Sequence, residues 1–185
     1  RNYLLLIVAL IGTTLSALAQ CPDNEIWYST TDGEKIDLGN QHGVVSHTYL
    51  DSSGVIRFDH DIEIISSERS DSNENNIYFT NCKNLKSITL PNSITEIGYK
   101  AFAGCEQLQT ITVPTDVTKI GENAFEDCTS LISVTIGSGV TSISSHAFEG
   151  CENLESVYIK DIASWCAIDF EYYNRWWMGC ENFLI

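Results

Sequence analysis

Basic side chains are scarce: 10 Lys and Arg stand against 25 Asp and Glu, a formal charge of -15. A surface of that sign repels phosphate backbones and anionic headgroups, which excludes nucleic acid as a partner. Three prolines are too few for a stalk or linker. The longest apolar run, Tyr3 to Ile11, falls short of the roughly 20 residues that cross a bilayer. Neither G-x-S-x-G nor H-E-x-x-H occurs, and there is no phosphate-binding glycine loop, so no catalysis is predicted and no cofactor is called for. The four histidines, at 42, 47, 60 and 146, share no metal-ligand spacing. Asp59, Asp61 and Glu63 alternate as calcium ligands do, but without the glycine and closing glutamate of a calcium loop.

What the chain does have is enough apolar residue, 43% of 185, for one modest domain and too much for a disordered acidic tail. It opens with one arginine, the apolar run, and small residues ending in Ala17-Leu18-Ala19. This order predicts a secretory signal peptide over residues 1–19 and therefore export, with a mature charge of -15 - 1 = -16. Cys21 is not read as a lipid-modified cysteine, because Gln20 before it is not small.

Cysteine spacing organises the rest. Cys82, Cys105, Cys128 and Cys151 recur with a constant period of 23, and seven further columns keep the register. They run through Leu85, Ile88, Leu90, Ile94, Ile97, Ala101 and Phe102 and their successors. A fixed period of this size marks a solenoid, in which one coil cannot bury its own interior and neighbours must stack on it. Within a coil, Ile88 and Leu90 alternate with Ser87 and Thr89, the period of a half-buried strand. Pro91 or Pro114 ends that strand, a second extended piece follows, and Ala101, Phe102 and Cys105 are spaced to share the inner side of a short helical turn. Upstream, Ile56, Phe58, Ile62 and Ile65 repeat the spacing of Ile88, Leu90, Ile94 and Ile97, but at an interval wider than one period. The nine-residue excess is placed in the polar stretch SERSDSNEN, before Tyr78 and Phe79 restore the Ala-Phe seats.

The expected architecture is a β-rich solenoid of 23-residue coils over residues 55–160, with short parallel strands and short helical turns. Residues 20–54 are expected as an N-terminal cap of two hairpins, turning at Asp32-Gly33 and at Asp51 to Gly54. Residues 161–185 read as a degenerate cap or the start of further repeats: Ala163 and Cys166 fall on apolar columns, whereas Trp165, Trp176, Trp177 and Met178 fall on none, and ENFLI reads as a new strand.

The three runs LKSITLPNSITEIGYKAFAGCEQ, LQTITVPTDVTKIGENAFEDCTS and LISVTIGSGVTSISSHAFEGCEN closely resemble the leucine-rich repeat family in its bacterial BspA-like surface-antigen subclass. The position usually held by Asn or Cys is here Ser93, Asp116 or Gly139, so the asparagine ladder of that family is absent and the Ala-Phe-Cys turn takes its place. The resemblance implies a secreted, periplasmic or cell-surface bacterial protein that binds host matrix or cell-surface proteins. It leaves oligomeric state open.

Two functional readings compete over the cysteine column: inert buried thiols, or a metal site or disulfide ladder. Equivalent side chains stacked inward with no histidine column favour the inert reading. Cys166 and Cys180 flank the expected cap and are a candidate pair in an oxidising compartment. The candidate binding surface is the wet face of the strands, the columns Ser87, Thr110, Ser133, Ser156 and Thr89, Thr112, Thr135, Tyr158. Tyr158 is its best single anchor, since aromatics dominate interfaces. The alternatives are a spacer or fragment without its own ligand, and a glycan-binding face, for which more aromatic platforms than Tyr158 would be expected.

Overall fold

The computed structural model describes residues 20–39, 41, 43–67, 77–160, 162–171 and 183–184. The expected signal peptide, nearly all of the SERSDSNEN insertion, Trp176, Trp177, Met178 and Cys180 lie outside the described residues. Among the described residues, no helix is long and apolar enough to cross a membrane.

The elements in chain order are β1 (Glu25–Thr30), β2 (Val44–Leu50), β3 (Ser53–Phe58), β4 (Ile64–Ile65), β5 (Leu85–Thr89), β6 (Glu96–Ile97), β7 (Thr110–Thr112), β8 (Lys119–Ile120), β9 (Ser133–Ile136), β10 (Ser142–Ile143), β11 (Ser156–Ile159), α1 (Ile162–Cys166), β12 (Asp169–Phe170) and β13 (Phe183–Leu184). They form two sheets: an eight-stranded one in the order β13-β11-β9-β7-β5-β1-β3-β2, and a five-stranded one in the order β12-β10-β8-β6-β4. Each repeat contributes one strand to each sheet, and successive repeats pair in parallel with equivalent residues abreast, as in Ile111 beside Val134 and Ile97 beside Ile120. The 23-residue solenoid is therefore the observed fold.

The apolar columns are its core. Leu85, Leu108 and Leu131, Ile94 and Val117, Ile97, Ile120 and Ile143, and Ala101, Ala124 and Ala147 have essentially no exposure. The phenylalanine column is a stack: Phe79, Phe102, Phe125 and Phe148 lie nearly parallel, with successive ring centroids 5.3, 5.3 and 5.0 Å apart. That spacing is set by the strand separation of about 4.8 Å, which every coil must share.

The cysteines form a ladder of their own. Cys105 Sγ donates to Phe79 O at 3.1 Å, Cys128 Sγ to Phe102 O at 3.2 Å, and Cys151 Sγ to Phe125 O at 3.1 Å. Each thiol thus ties its coil to a carbonyl of the coil before. A second ladder of hydroxyls, Thr95 to Glu63 O, Thr118 to Thr95 O and Thr141 to Thr118 O, runs along the five-stranded sheet.

The Ala-Phe-Cys segment is a run of tight turns rather than a turn of α-helix. Its bonds span three residues, as from Cys105 N to Phe102 O and Cys128 N to Phe125 O. Two columns of left-handed residues break any helix there: Lys100, Asn123 and His146 (φ 49, 57 and 58°), and Asn81, Gly104, Asp127 and Gly150 (φ 61, 72, 56 and 74°). Asn, Asp and Gly tolerate that region best. The turn still points Ala101, Phe102 and Cys105 inward, and its free N–H groups bond across coils, Phe102 N to Ala124 O at 2.8 Å and Gly104 N to Glu126 O at 2.7 Å.

Four local expectations are corrected. The hairpin at Asp32-Gly33 does not form: β1 is flanked by β3 and β5, both antiparallel to it, so no edge is left for residues 34–38 to pair with. They run as irregular chain that buries Ile36 and Leu38. For the same reason β3, which carries the repeat-like Ile56 and Phe58, does not stack directly on β5, because β1 is inserted between them. The hairpin at Asp51 to Gly54 does form, from β2 and β3.

Phe79 fills its seat in the ring stack, but Tyr78 is 39% exposed. A seat the size of an alanine methyl cannot take a phenol. Ala163 and Cys166 are exposed rather than on inner columns. Phe170 takes the place beside Ile143 that a strict period would give to Cys166, and α1 absorbs the four extra residues. Trp165 then packs edge-on against Phe170 at 5.2 Å beside the end of the core.

Cys21, outside every column, is 2% exposed and donates to Glu25 O at 3.1 Å. Burial, with the charge of Glu25 behind it, pushes its thiol up to about 12. A lipid on that sulfur would have to leave this seat.

Candidate functional site

The two hydroxyl columns lie on the outer side of the eight-stranded sheet. Ser87 faces Thr110, Thr110 faces Ser133 and Ser133 faces Ser156; Thr112 faces Thr135, and Thr135 faces Tyr158. Thr89, Thr110, Thr112 and Tyr158 are exposed, and Ser87, Ser133, Thr135 and Ser156 half-buried. Strand alternation produces this: the partners Ile88, Ile111, Val134 and Val157 take the inner side. Neither column contains a charged residue.

The insertion of β1 extends the face in a way the repeat pattern does not reveal. Trp27 pairs with Thr89 on one side and Val55 on the other, and Ser29 with Ser87 and Ser53. Ser29 Oγ and Ser87 Oγ are 2.6 Å apart, a hydrogen bond that carries the hydroxyl row across the junction between the antiparallel and the parallel strands. One row therefore runs Trp27, Thr89, Thr112, Thr135, Tyr158, with an aromatic at each end. The signal was present in EIWYST, where Glu25, Trp27 and Ser29 share a parity, but the neighbour of β1 was not readable.

Trp27 is fixed in place. Its indole N–H donates to Glu25 Oε2 at 2.8 Å, while Arg57 Nε donates to Glu25 Oε1 at 2.9 Å. The Glu25 side chain is 8% exposed and that of Arg57 55%. A shielded carboxylate that satisfies an arginine and an indole together is compensated, and it sets the orientation of both. The result is a preorganised Trp-Arg corner with no net charge at one end of the face.

Elsewhere, lysines bridge adjacent coils to glutamates. Lys83 meets Glu106 at 2.7 Å, Lys119 meets Glu96 at 3.0 Å and Lys100 meets Glu126 at 3.2 Å. Exposed pairs of this kind contribute about 0–1 kcal/mol each. They consume cationic groups on the flanks and leave the acid excess there.

Among the described residues, no group of three or more His, Cys, Asp or Glu is placed to hold a metal ion. Asp59 is paired with His60 at 2.6 Å. His146 lies half-exposed beside Glu149 at 2.6 Å. The buried thiols are held protonated: burial, followed by the charge of Asp37, pushes Cys82 up to about 12. Cys105 is raised well above the usual thiol range by burial. Cys128 is raised by its hydrogen bond with Cys151 and then by burial. Cys82, Cys105 and Cys128 lie in the core, and the thiols of Cys105, Cys128 and Cys151 donate to carbonyls of the preceding coil, so the column packs and ties the coils.

A family model described as BspA type leucine rich repeat region, in six copies, matches residues 60–173. No curated protein matches the sequence. Three solved structures are similar. A leucine rich cell surface protein from Faecalibacterium prausnitzii is 36% identical, with a TM-score of 0.47 over 48% of this chain and 24% of that one. The leucine rich repeat protein of T. pallidum is 27% identical, with a TM-score of 0.40 over 46% of this chain and 50% of that one. A leucine-rich repeat protein from Bacteroides ovatus is 22% identical, with a TM-score of 0.45 over 74% of this chain and 36% of that one. The chain spans half or less of each solved relative. With the repeat register, the stacked phenylalanines and a family match over residues 60–173 in agreement, the chain belongs to the BspA-type leucine-rich repeat family.

Proposed function

We propose that this protein is an exported, non-catalytic adhesion module whose contact surface is the outer row Trp27, Thr89, Thr112, Thr135, Tyr158, flanked by Ser87, Thr110, Ser133 and Ser156. The observation that carries the reading is the row itself: exposed and half-buried hydroxyls without charge, bounded by half-buried Trp27 and exposed Tyr158, on one continuous sheet. Trp, Tyr and Arg are the residue types that dominate binding energies, and rigid anchors lose little entropy on binding. Membership of a family of non-enzymatic repeat scaffolds for protein interaction points the same way. The partners proposed are host matrix or cell-surface proteins, met outside the cell.

From Trp27 to Tyr158 the row crosses four strand spacings, about 19 Å. That is small beside the roughly 800 Å² per partner of a standard interface, so a single copy binds weakly and many copies bind together. Beads carrying clustered protein are expected to retain matrix proteins or bacterial cells at least about 100-fold better than the monomer. For basic partners, retention falls as salt screens the charge of -16. Changing Thr112, Thr135 and Tyr158 together to Lys alters the face without touching the inner columns, and abolishes retention. If clustered wild type binds nothing, the adhesion reading fails and a structural spacer replaces it.

One observation favours a second reading, a glycan-binding face. Trp27 supplies the second aromatic platform that the hydroxyl rows alone lacked. Competition by free neutral oligosaccharides against the bead assay separates the two readings, since a protein-binding face is indifferent to them.

A further inference from the structure

Strand β2 closes one side of the eight-stranded sheet, and among the described residues it pairs with β3 alone. Its outer edge is a row of backbone donors and acceptors with no strand beside it among the described residues. Proteins blunt such edges with lysines, prolines or covering loops. The sequence of β2, VVSHTYL, has no charge and no proline in a chain that carries -15. A bulge between Val44 and Ser46 affects only its first residues and leaves Ser46 to Leu50 in regular pairing with β3. Of the six large apolar side chains exposed among the described residues, two belong to this strand, Val45 at 63% and Leu50 at 50%.

We propose that β2 is a self-pairing edge, through which two copies of this chain join antiparallel into one continuous sheet. A second copy fits for two reasons. An antiparallel pair about a two-fold axis normal to the sheet is self-complementary by construction. The same axis sends Asp51 of one copy toward the Val45 end of the other, so the carboxylate bordering the strand does not meet its own mate. That operation keeps both outer faces on one side. The dimer therefore presents two Trp27 to Tyr158 rows in one surface, and the cap becomes the device that makes a weak face bivalent. Dimerisation itself does not depend on which ligand the face takes.

Seven residues of strand, about 24 Å long, bury less than a standard interface, which sets a reversible dimer. Sedimentation velocity of the full mature chain from about 1 μM to 1 mM is expected to show a dimer half formed between about 10 μM and 1 mM. Because both copies are acidic, the dimer tightens as salt rises, the reverse of the ligand's dependence. The double variant V45K/L50K places like charges across the seam at positions that are already exposed, and raises the dissociation constant at least about tenfold with an unchanged melting curve. In parallel, hydrogen exchange at residues 46–50 of the wild type slows as concentration rises. A monomer across the whole range overturns the proposal, as does a dimer indifferent to V45K/L50K, or exchange at 46–50 that ignores concentration. No ligand enters this experiment, so its failure leaves the adhesion reading standing, and failure of the bead assay leaves the dimer standing.

Discussion

Replacing Phe125 with Ala is expected to cost about 3–5 kcal/mol, read as a fall in the urea midpoint. The ring has no exposure and lies between Phe102 at 5.3 Å and Phe148 at 5.0 Å. Its removal opens a void bounded on both sides by aromatic faces. Collapse into that void is blocked, because the flanking coils are held at the strand spacing by Phe102 N to Ala124 O and Phe125 N to Ala147 O. Stability in a solenoid is carried by interfaces between nearest neighbours, and this one substitution weakens two of them. A loss below about 1 kcal/mol would mean that the ring column does not hold the coils together.

The thiols offer the largest contrast in rate. Burial pushes Cys82 up to about 12, so at pH 8 about one Cys82 thiol in 10⁴ is ionised, against about one in ten for an ordinary thiol, and Cys105 and Cys128 are raised in the same direction. Alkylation needs the thiolate, which alone slows Cys82 about 10³-fold before access is counted and slows Cys105 and Cys128 in the same sense. Cys166, exposed on α1, is expected to label first, and half-buried Cys151 after it. Cys82, Cys105 and Cys128 follow only in denaturant. Peptide mass spectrometry of a timed alkylation reads each site separately. Fast native labelling of Cys105 or Cys128 would refute both the buried column and its ladder of thiol-carbonyl bonds.

The inner columns were legible because each coil offers seats of fixed size in fixed order, so residue type repeats wherever a seat repeats. The left-handed column Asn81, Gly104, Asp127 and Gly150 keeps the same period of 23 but was not read from the sequence, because Asn, Asp and Gly share a backbone preference and not a side-chain type. Chain pairing at a distance was not legible either. Asp32-Gly33 carries a hairpin signal, but whether a hairpin forms depends on whether β1 has a free edge, and β5 takes that edge from far along the chain. The same pairing places Trp27 beside Thr89, which is why Trp27 stayed hidden while the repeat positions of the proposed site, Tyr158 included, were visible. The carbonyls that accept from the cysteines belong to residues 26 positions earlier and leave no mark in side-chain identity. At the other end, Ala163 and Cys166 kept the period in sequence but lost it in space, because four extra residues wound into α1.

One period of the sequence makes one coil, and coils are interchangeable units of both core and face. Excising residues 106–128 joins Cys105 to Thr129 and removes one whole period. Every inner column then closes in register, Phe102 meets Phe148, and Thr89 meets Thr135. Circular dichroism and urea unfolding are expected to show a shorter protein that retains its β signal and a single cooperative transition. Excising 107–128 instead, one residue short of a period, turns each downstream apolar side chain out of its seat and yields no such transition. If the two excisions behave alike, either both folded or both unfolded, the coil is not the unit of this structure.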